Sequence, residues 1–447
     1  MSYMNSVFGI LLASFIAAFL TFVSKLALIR LVGRDRFDTD TYFHLVYADV
    51  IRRNHHKLPR RAPALAMIER YSYPYGFHWA CSFLSRDRLE RYQALIQVAI
   101  KCSVVYTLSV ITGLVFLRSS NGQTLVAGYA ALSAGLIYGL SPLNRNSNPV
   151  SPHDLSLSPR ALGVLLSSLG CTVAVFAAAE QRIDLALIAV LLMSITCLTS
   201  KFGLQCFVFI LPICFAFLRA WRMMLILPSG ILVAILISRG YYLYVLEGQV
   251  RHLSFYARRI VHEHPSTQQH IFKTPANLLK IIRQVFGRYP LSAWYILVRD
   301  PMLRGIALYP LHLLCGLSIL AGAHIWRADL WLNALAALWL ATLFVGLATF
   351  LPWLRFLGEG DRYLEFVGFV PATILVLAIL PLISGWMATI TILVIVFGVF
   401  MIVADLTTKP REHITEDERE LWACLNHLAG DKVRAVCLPL REAHTVI

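Results

Sequence analysis

Long apolar runs dominate this chain, and the polar residues are gathered between them. The runs extend over about 18 to 25 residues, enough for a helix to cross a ~30 Å hydrocarbon core. About eleven are read, near residues 6–30, 94–117, 124–141, 161–179, 183–199, 203–218, 223–238, 302–325, 329–351, 365–383 and 386–404. The first starts close to Met1 but is too long for a signal-peptide core and lacks a small-residue cleavage pattern, so it is read as a retained helix. The pattern predicts an all-α polytopic membrane protein. Residues 1–404 form its transmembrane unit, and 405–447 form a short tail outside the membrane.

If the runs alternate across the bilayer, every long connection falls on one side: residues 33–93, 142–160, 239–301, 352–364 and the tail. The other side receives only tight turns, Arg118 to Gln123, Glu180 to Arg182, Arg219 to Arg222 and Trp326 to Ala328. The chain therefore has a busy face and a bare face. Composition agrees with this class: 58% of the 447 residues are hydrophobic and 15% charged, with a mean hydropathy of +0.66, which excludes an ordinary soluble domain.

Charge sharpens the picture of the busy face. Its two longest loops are basic, with 11 Lys and Arg against seven acids in 33–93 and nine against three in 239–301. A basic face belongs in the cytoplasm by the positive-inside rule, but that rule counts mainly short loops. The charge serves equally to hold an anionic substrate or lipid headgroups. Membrane lipids are thus expected partners, and nucleic acid is not. The nine cysteines show no metal-type spacing, and Cys424 with Cys437 would pair only on an oxidising face.

The candidate chemistry starts at "FDTDTYFHL". From Thr41 onward, Tyr42, Phe43, Leu45, Val46, Val50 and Ile51 form an apolar stripe at helical spacing, with Asp49, Arg52 and Arg53 away from it. Asp38 and Asp40 fall at the N-terminus of that amphipathic helix. One reading makes Asp40 or Thr39 a helix cap and Asp38 a solvated loop acid. The other makes the pair a hard-cation site or a general base, with His44 four residues on as a further ligand or acid–base group.

"SYPYGFHW" follows, from Ser72 to Trp79. Pro74 suits a helix start, Tyr73, Tyr75 and Trp79 suit a bilayer interface, and His78 reads on its own as a snorkelling side chain. "LGEGDRYLEFV", from Leu357 to Val367, lies on the same face. In loop 239–301, His262 and His264 read as a solvated or phosphate-facing basic segment before they read as a metal site. The tail holds a capping box at Thr415 and Glu418, a helical stripe, and "KVRAVCLPL" as a strand.

In this order the motifs resemble the GT-C superfamily of membrane glycosyltransferases, including oligosaccharyltransferase catalytic subunits and bacterial enzymes that use polyprenyl-linked sugars. "DTDTYFHL" matches the acidic first-loop motif and the helix after it. "SYPYGFHW" matches the tyrosine–proline segment, with Tyr75 in place of the usual second proline. "GEGDRY" is similar to the late E-x-x-R-Y loop. The resemblance implies an inner-membrane protein with its long loops extracytoplasmic, acting on a lipid-linked sugar donor. It implies Asp38, beside Asp40, as general base or metal ligand, and Arg355 and Arg362, with Tyr73, His78 and Tyr363, around the leaving phosphate. A divalent cation, Mg or Mn, would sit on Asp38 and Asp40 with Asp154 and Glu359.

The chain departs from oligosaccharyltransferases in two places. Only His153 and Asp154 stand in for their second acidic motif, and the tail is far shorter than their soluble domain. A lipid, glycan or other small acceptor is therefore expected. Two other classes fit the layout. An O-antigen-type polymerase or ligase would place its essential residues in loop 239–301. A transporter would need midplane charges, and of Lys25, Arg30, Lys101 and Arg304 only Lys101 is well placed for one.

Overall fold

The computed structural model describes residues 2–32, 39–59, 72–119, 124–140, 157–260, 271–287, 310–321, 329–358 and 360–379, with a few positions between 288 and 309. Among them the chain is helical, with no strand. The helices are α1 (Ser2–Val32), α2 (Thr39–Arg53), α3 (Gly76–Cys81), α4 (Arg86–Ser119), α5 (Thr124–Leu140), α6 (Arg160–Glu180), α7 (Ile183–Thr199) and α8 (Lys201–Phe217). Then come α9 (Ile226–Ile237), α10 (Tyr241–Phe255), α11 (Thr274–Phe286), α12 (Pro310–Ala321), α13 (Leu330–Ala348), α14 (Gly360–Phe366) and α15 (Phe369–Ile379).

Four helical segments are long and apolar enough to cross a membrane: Ser6–Ala27, Arg86–Ser119, Arg160–Glu180 and Leu330–Ala348. Shorter apolar helices, among them Ile183–Thr199 and Lys201–Phe217, pack with them. Their outward residues are large and apolar, such as Phe8, Phe15 and Phe19 on α1 and Ile183, Leu187 and Leu191 on α7. This is the surface of a protein whose solvent is lipid. The segments expected at 386–404 and in the tail lie outside the described residues.

α1, α4 and α5 pack as one layer, with Ala127, Ala130, Ala131 and Ala134 buried on α5. Small side chains let helices approach closely where no hydrophobic drive separates them from lipid. α6, α7, α8 and α13 form the neighbouring layer. Thr112 of α4 and Thr373 of α15 share a hydrogen bond of 2.8 Å within the core. Of the lysines expected within spans, the structure buries Lys25 as thoroughly as Lys101.

At one end of the bundle, the end of α4, the α6–α7 turn and the start of α13 meet at Glu180. It pairs with Arg118 and, at 3.6 Å, with Arg182, and it accepts a hydrogen bond of 2.6 Å from the Trp331 indole. Arg118 also stands 4.6 Å over the Trp331 ring. At the opposite end of the bundle, Arg160 at the start of α6 pairs with Glu365 on α14.

Candidate functional site

α2 and α3 form a unit docked on the start of α4. Leu45 and Ala48 of α2 pack on Phe77, Cys81 and Leu89, while Tyr47 and Ile51 pack with Phe43, Tyr73 and Tyr75. The stripe read from the sequence is therefore the buried face, with one correction. Asp49 is buried, held by ion pairs to Arg52 and Arg53, each at 2.6 Å. These i,i+3 and i,i+4 partners fold over the carboxylate and neutralise it locally, so it need not point to water.

Two histidines join at the centre of this unit. His44 Nδ1 and His78 Nε2 lie 2.8 Å apart, one ring donating and the other accepting. His78 is fully buried and not a snorkelling side chain, because it closes an aromatic cage. Its ring centroid is 4.6 Å from that of Tyr47, 5.6 Å from Phe77 and 5.7 Å from Tyr73. Burial pushes the pKa of His44 down to about 3. Burial and the neighbouring His44 hold His78 well below its ordinary range. The Pro74 carbonyl partly opposes that shift, although Nδ1 of His78 makes no full hydrogen bond. Both rings are thus neutral at physiological pH, and their bond positions α2 against α3. A second tie runs from His56 Nδ1 to Ser82 Oγ at 2.8 Å.

The "SYPYG" corner is wedged between α7 and α10. A side chain at Gly76 would meet Thr199 Cγ2 at 2.8 Å and the Leu198 carbonyl at 3.0 Å. One at Gly248 would meet Ser72 Cβ at 2.4 Å. Glycine is needed at both positions because the backbones touch there. The Tyr75 ring sits edge-on to Tyr241 at 5.4 Å. The corner therefore lands beside the α7–α8 turn and along α10.

Basic residues gather around that turn. Lys201 opens α8 and is within electrostatic range of both Arg362 and His252. The Arg362 guanidinium lies 4.3 Å over the Phe202 ring. His252, one turn beyond Gly248, stacks with Tyr256 at 6.1 Å. Burial and the Lys201 charge lower the His252 pKa. Arg355 is buried, in the turn at Pro352–Leu357 that touches the segment Tyr256–Ile260. Burial lowers its pKa, the Tyr256 hydroxyl opposes that shift, and the guanidinium stays charged. Among the described residues neither Lys201 nor Arg355 pairs with a carboxylate. Lys201, Arg355 and Arg362 thus form a partly dry basic group, of the kind that receives an anion.

The expected site residues therefore divide. His44, Tyr73 and His78 are brought together in the α2–α3 unit. Arg355 and Arg362 share the basic group, and Tyr363 is buried beside it with its hydroxyl donating to the Leu357 carbonyl at 2.7 Å. Asp38, Asp154 and Glu359 lie outside the described residues, as does the side chain of Asp40. The described residues hold no group of three or more His, Cys, Asp or Glu suited to a metal ion, and His44 Nδ1 is already engaged. The cation site expected on Asp38, Asp40, Asp154 and Glu359 falls outside the described side chains.

Sequence reasoning misses Lys201 and His252. Lys201 sits in a turn of three residues between two apolar runs, and its position on the busy face was the available signal. No family model, no curated protein and no solved structure matches this chain.

Proposed function

We propose that this protein is a membrane glycosyltransferase. It crosses the inner membrane about eleven times, with its long loops extracytoplasmic, and moves a sugar from a lipid-phosphate or lipid-diphosphate donor to an acceptor. The observation that carries the reading is the convergence of two motif regions distant in sequence. The "SYPYG" corner of the first loop packs against Leu198–Thr199, Lys201 of the same turn faces Arg362 and His252, and Arg355 lies near Tyr256, the ring on which His252 stacks.

In this reading Asp38 takes the proton from the acceptor hydroxyl as its oxygen attacks the anomeric carbon. The bond from that carbon to the phosphate oxygen breaks, and its electron pair leaves on the phosphate. Arg355, Arg362 and Lys201 stabilise the growing negative charge in a site partly shielded from water. His44 and His78 hold the first-loop helix in place. No step is routed through a metal ion.

Purified protein assayed against a panel of polyprenyl-phosphate sugars tests the proposal. Asp38→Asn should slow transfer about 10²- to 10⁴-fold, the range for general-base catalysis. Arg362→Gln should slow it roughly 10²- to 10³-fold, as loss of one oriented donor does. Full activity in Asp38→Asn overturns the mechanism. If Asp38→Asn is fully active while loss of Arg residues in loop 239–301 abolishes activity, the O-antigen-type polymerase or ligase is the correct reading.

A further inference from the structure

Helix α11, within the basic loop, turns its polar edge to the protein and its apolar edge outward. Thr274, Asn277, Ile281 and Gln284, spaced three or four apart, form the inward edge. Leu278, Leu279, Ile282, Val285 and Phe286 are all exposed, Leu279 at 59% and Phe286 at 84%. Lys280 and Arg283 are exposed on a different side.

The inward edge is fastened by one buried carboxylate. Asp300, 1% exposed, accepts from Thr274 Oγ1 at 3.2 Å, from Asn277 Nδ2 at 2.8 Å and from the Leu303 amide at 3.0 Å. The orientation is therefore set by specific bonds, and the apolar edge faces outward as a consequence. The result is an outward strip of five large apolar side chains, the kind of exposed surface that marks a contact site.

Its chemistry selects the occupant. No acid stands between Glu263 and Asp300, whereas Lys273, Lys280, Arg283, Arg288 and Arg299 do. A second copy of this helix would bring like charges together, which disfavours self-association. With 13 residues the helix is about 20 Å long, too short to span a ~30 Å core. An apolar edge flanked by cations fits an anionic lipid surface.

We propose that α11 is an interfacial helix, lying in the plane of the membrane with its apolar edge in the acyl boundary and Lys280 and Arg283 on anionic headgroups. This is independent of sugar transfer. It places the wall of the basic loop at the depth where a lipid-borne phosphate resides.

The test uses full-length protein in vesicles of phosphatidylcholine, alone or mixed with phosphatidylglycerol. The seven described cysteines are buried, so Cys424→Ser and Cys437→Ser give a background for labelling. An environment-sensitive fluorophore is attached through Leu279→Cys, with Ile282→Cys as a second reporter and Gln284→Cys as the inward control. Brominated acyl chains should quench the first two strongly and the third weakly. In the mixed vesicles, K280Q with R283Q should lower the ratio of inserted to surface helix about 25-fold, roughly fivefold per charge. In phosphatidylcholine alone the pair should have little effect. Quenching of Leu279→Cys by aqueous iodide instead of brominated lipid overturns the proposal. So does shielding from both quenchers with cross-linking between copies, which would assign the edge to a second protein molecule. Lipid quenching that ignores phosphatidylglycerol and both charges overturns the anionic partner.

Discussion

Replacing one member of the His44–His78 pair should cost more than replacing both. His78→Phe keeps a ring in the aromatic cage but leaves His44 Nδ1 without its partner in a site only 5% exposed. His44→Phe does the same to His78 Nε2. An orphaned buried polar group costs about 1–3 kcal/mol, whereas replacing both partners by apolar groups of similar shape is nearly neutral. The double variant should therefore be more stable than the sum of the single effects by about 2–6 kcal/mol, the two orphan penalties together, a coupling that distant, independent sites do not show. Hydrogen exchange over residues 39–53 and 76–81 in lipid nanodiscs reads the docking of α2 on α3 directly. Donor-sugar transfer, measured alongside, separates roles: a positioning pair leaves the double variant largely active, while a catalytic His44 does not. Strict additivity of the single substitutions would refute the pairing, whatever their individual size.

The same pair sets a pH dependence. Its histidines titrate below their ordinary value near 6.5, so the unfolded chain binds more protons as pH falls and docking stability is lost on acidification. Between neutral pH and about pH 5 the loss from His44 is roughly 2 kcal/mol, His78 adds to it with the same sign, and both should vanish in the double Phe variant when exchange is followed against pH. Gly76→Ala should push the "SYPYG" corner off Thr199 and Leu198 at a cost of about 1–3 kcal/mol, with faster exchange over 76–81 than over α6. Unchanged exchange there would remove the wedge. Glu180→Ala should lower the thermal midpoint in detergent by stranding the Trp331 indole. The loss of the hydrogen bond is worth about 1.5–3 kcal/mol, with little added by the half-exposed Arg118.

What the sequence makes legible here follows from how local each signal is. Apolar runs announce helices because the lipid requirement acts on every residue of a segment, and Arg160–Glu180 and Ile183–Thr199 coincide with the expected runs within a residue or two. α4 begins at Arg86, eight residues before its apolar run, because a helix continues through polar sequence when pairs such as Arg86–Glu90 support it. Hydropathy marks where the membrane starts and not where the helix does.

Asp49 reads as solvent-facing for a similar reason. Its charge is visible in the sequence, but the two arginines that close over it act through helical geometry. Lys201 and His252 are the harder case. Each is an unremarkable basic residue in its own segment, and their relation to Arg355 and Arg362 exists only once α7, α8 and α10 pack around the first-loop corner. That packing rests on two close backbone approaches, at Gly76 and Gly248, and a glycine in isolation carries no sign of which chain it will touch. A motif search finds the parts of such a site that are contiguous. The part that would hold an anion is assembled from four segments, and its evidence is mutual repulsion tolerated in a fold that offers Lys201 and Arg355 no described carboxylate in return. In the proposed reaction the phosphate of the lipid-linked donor brings the compensating charge to this group.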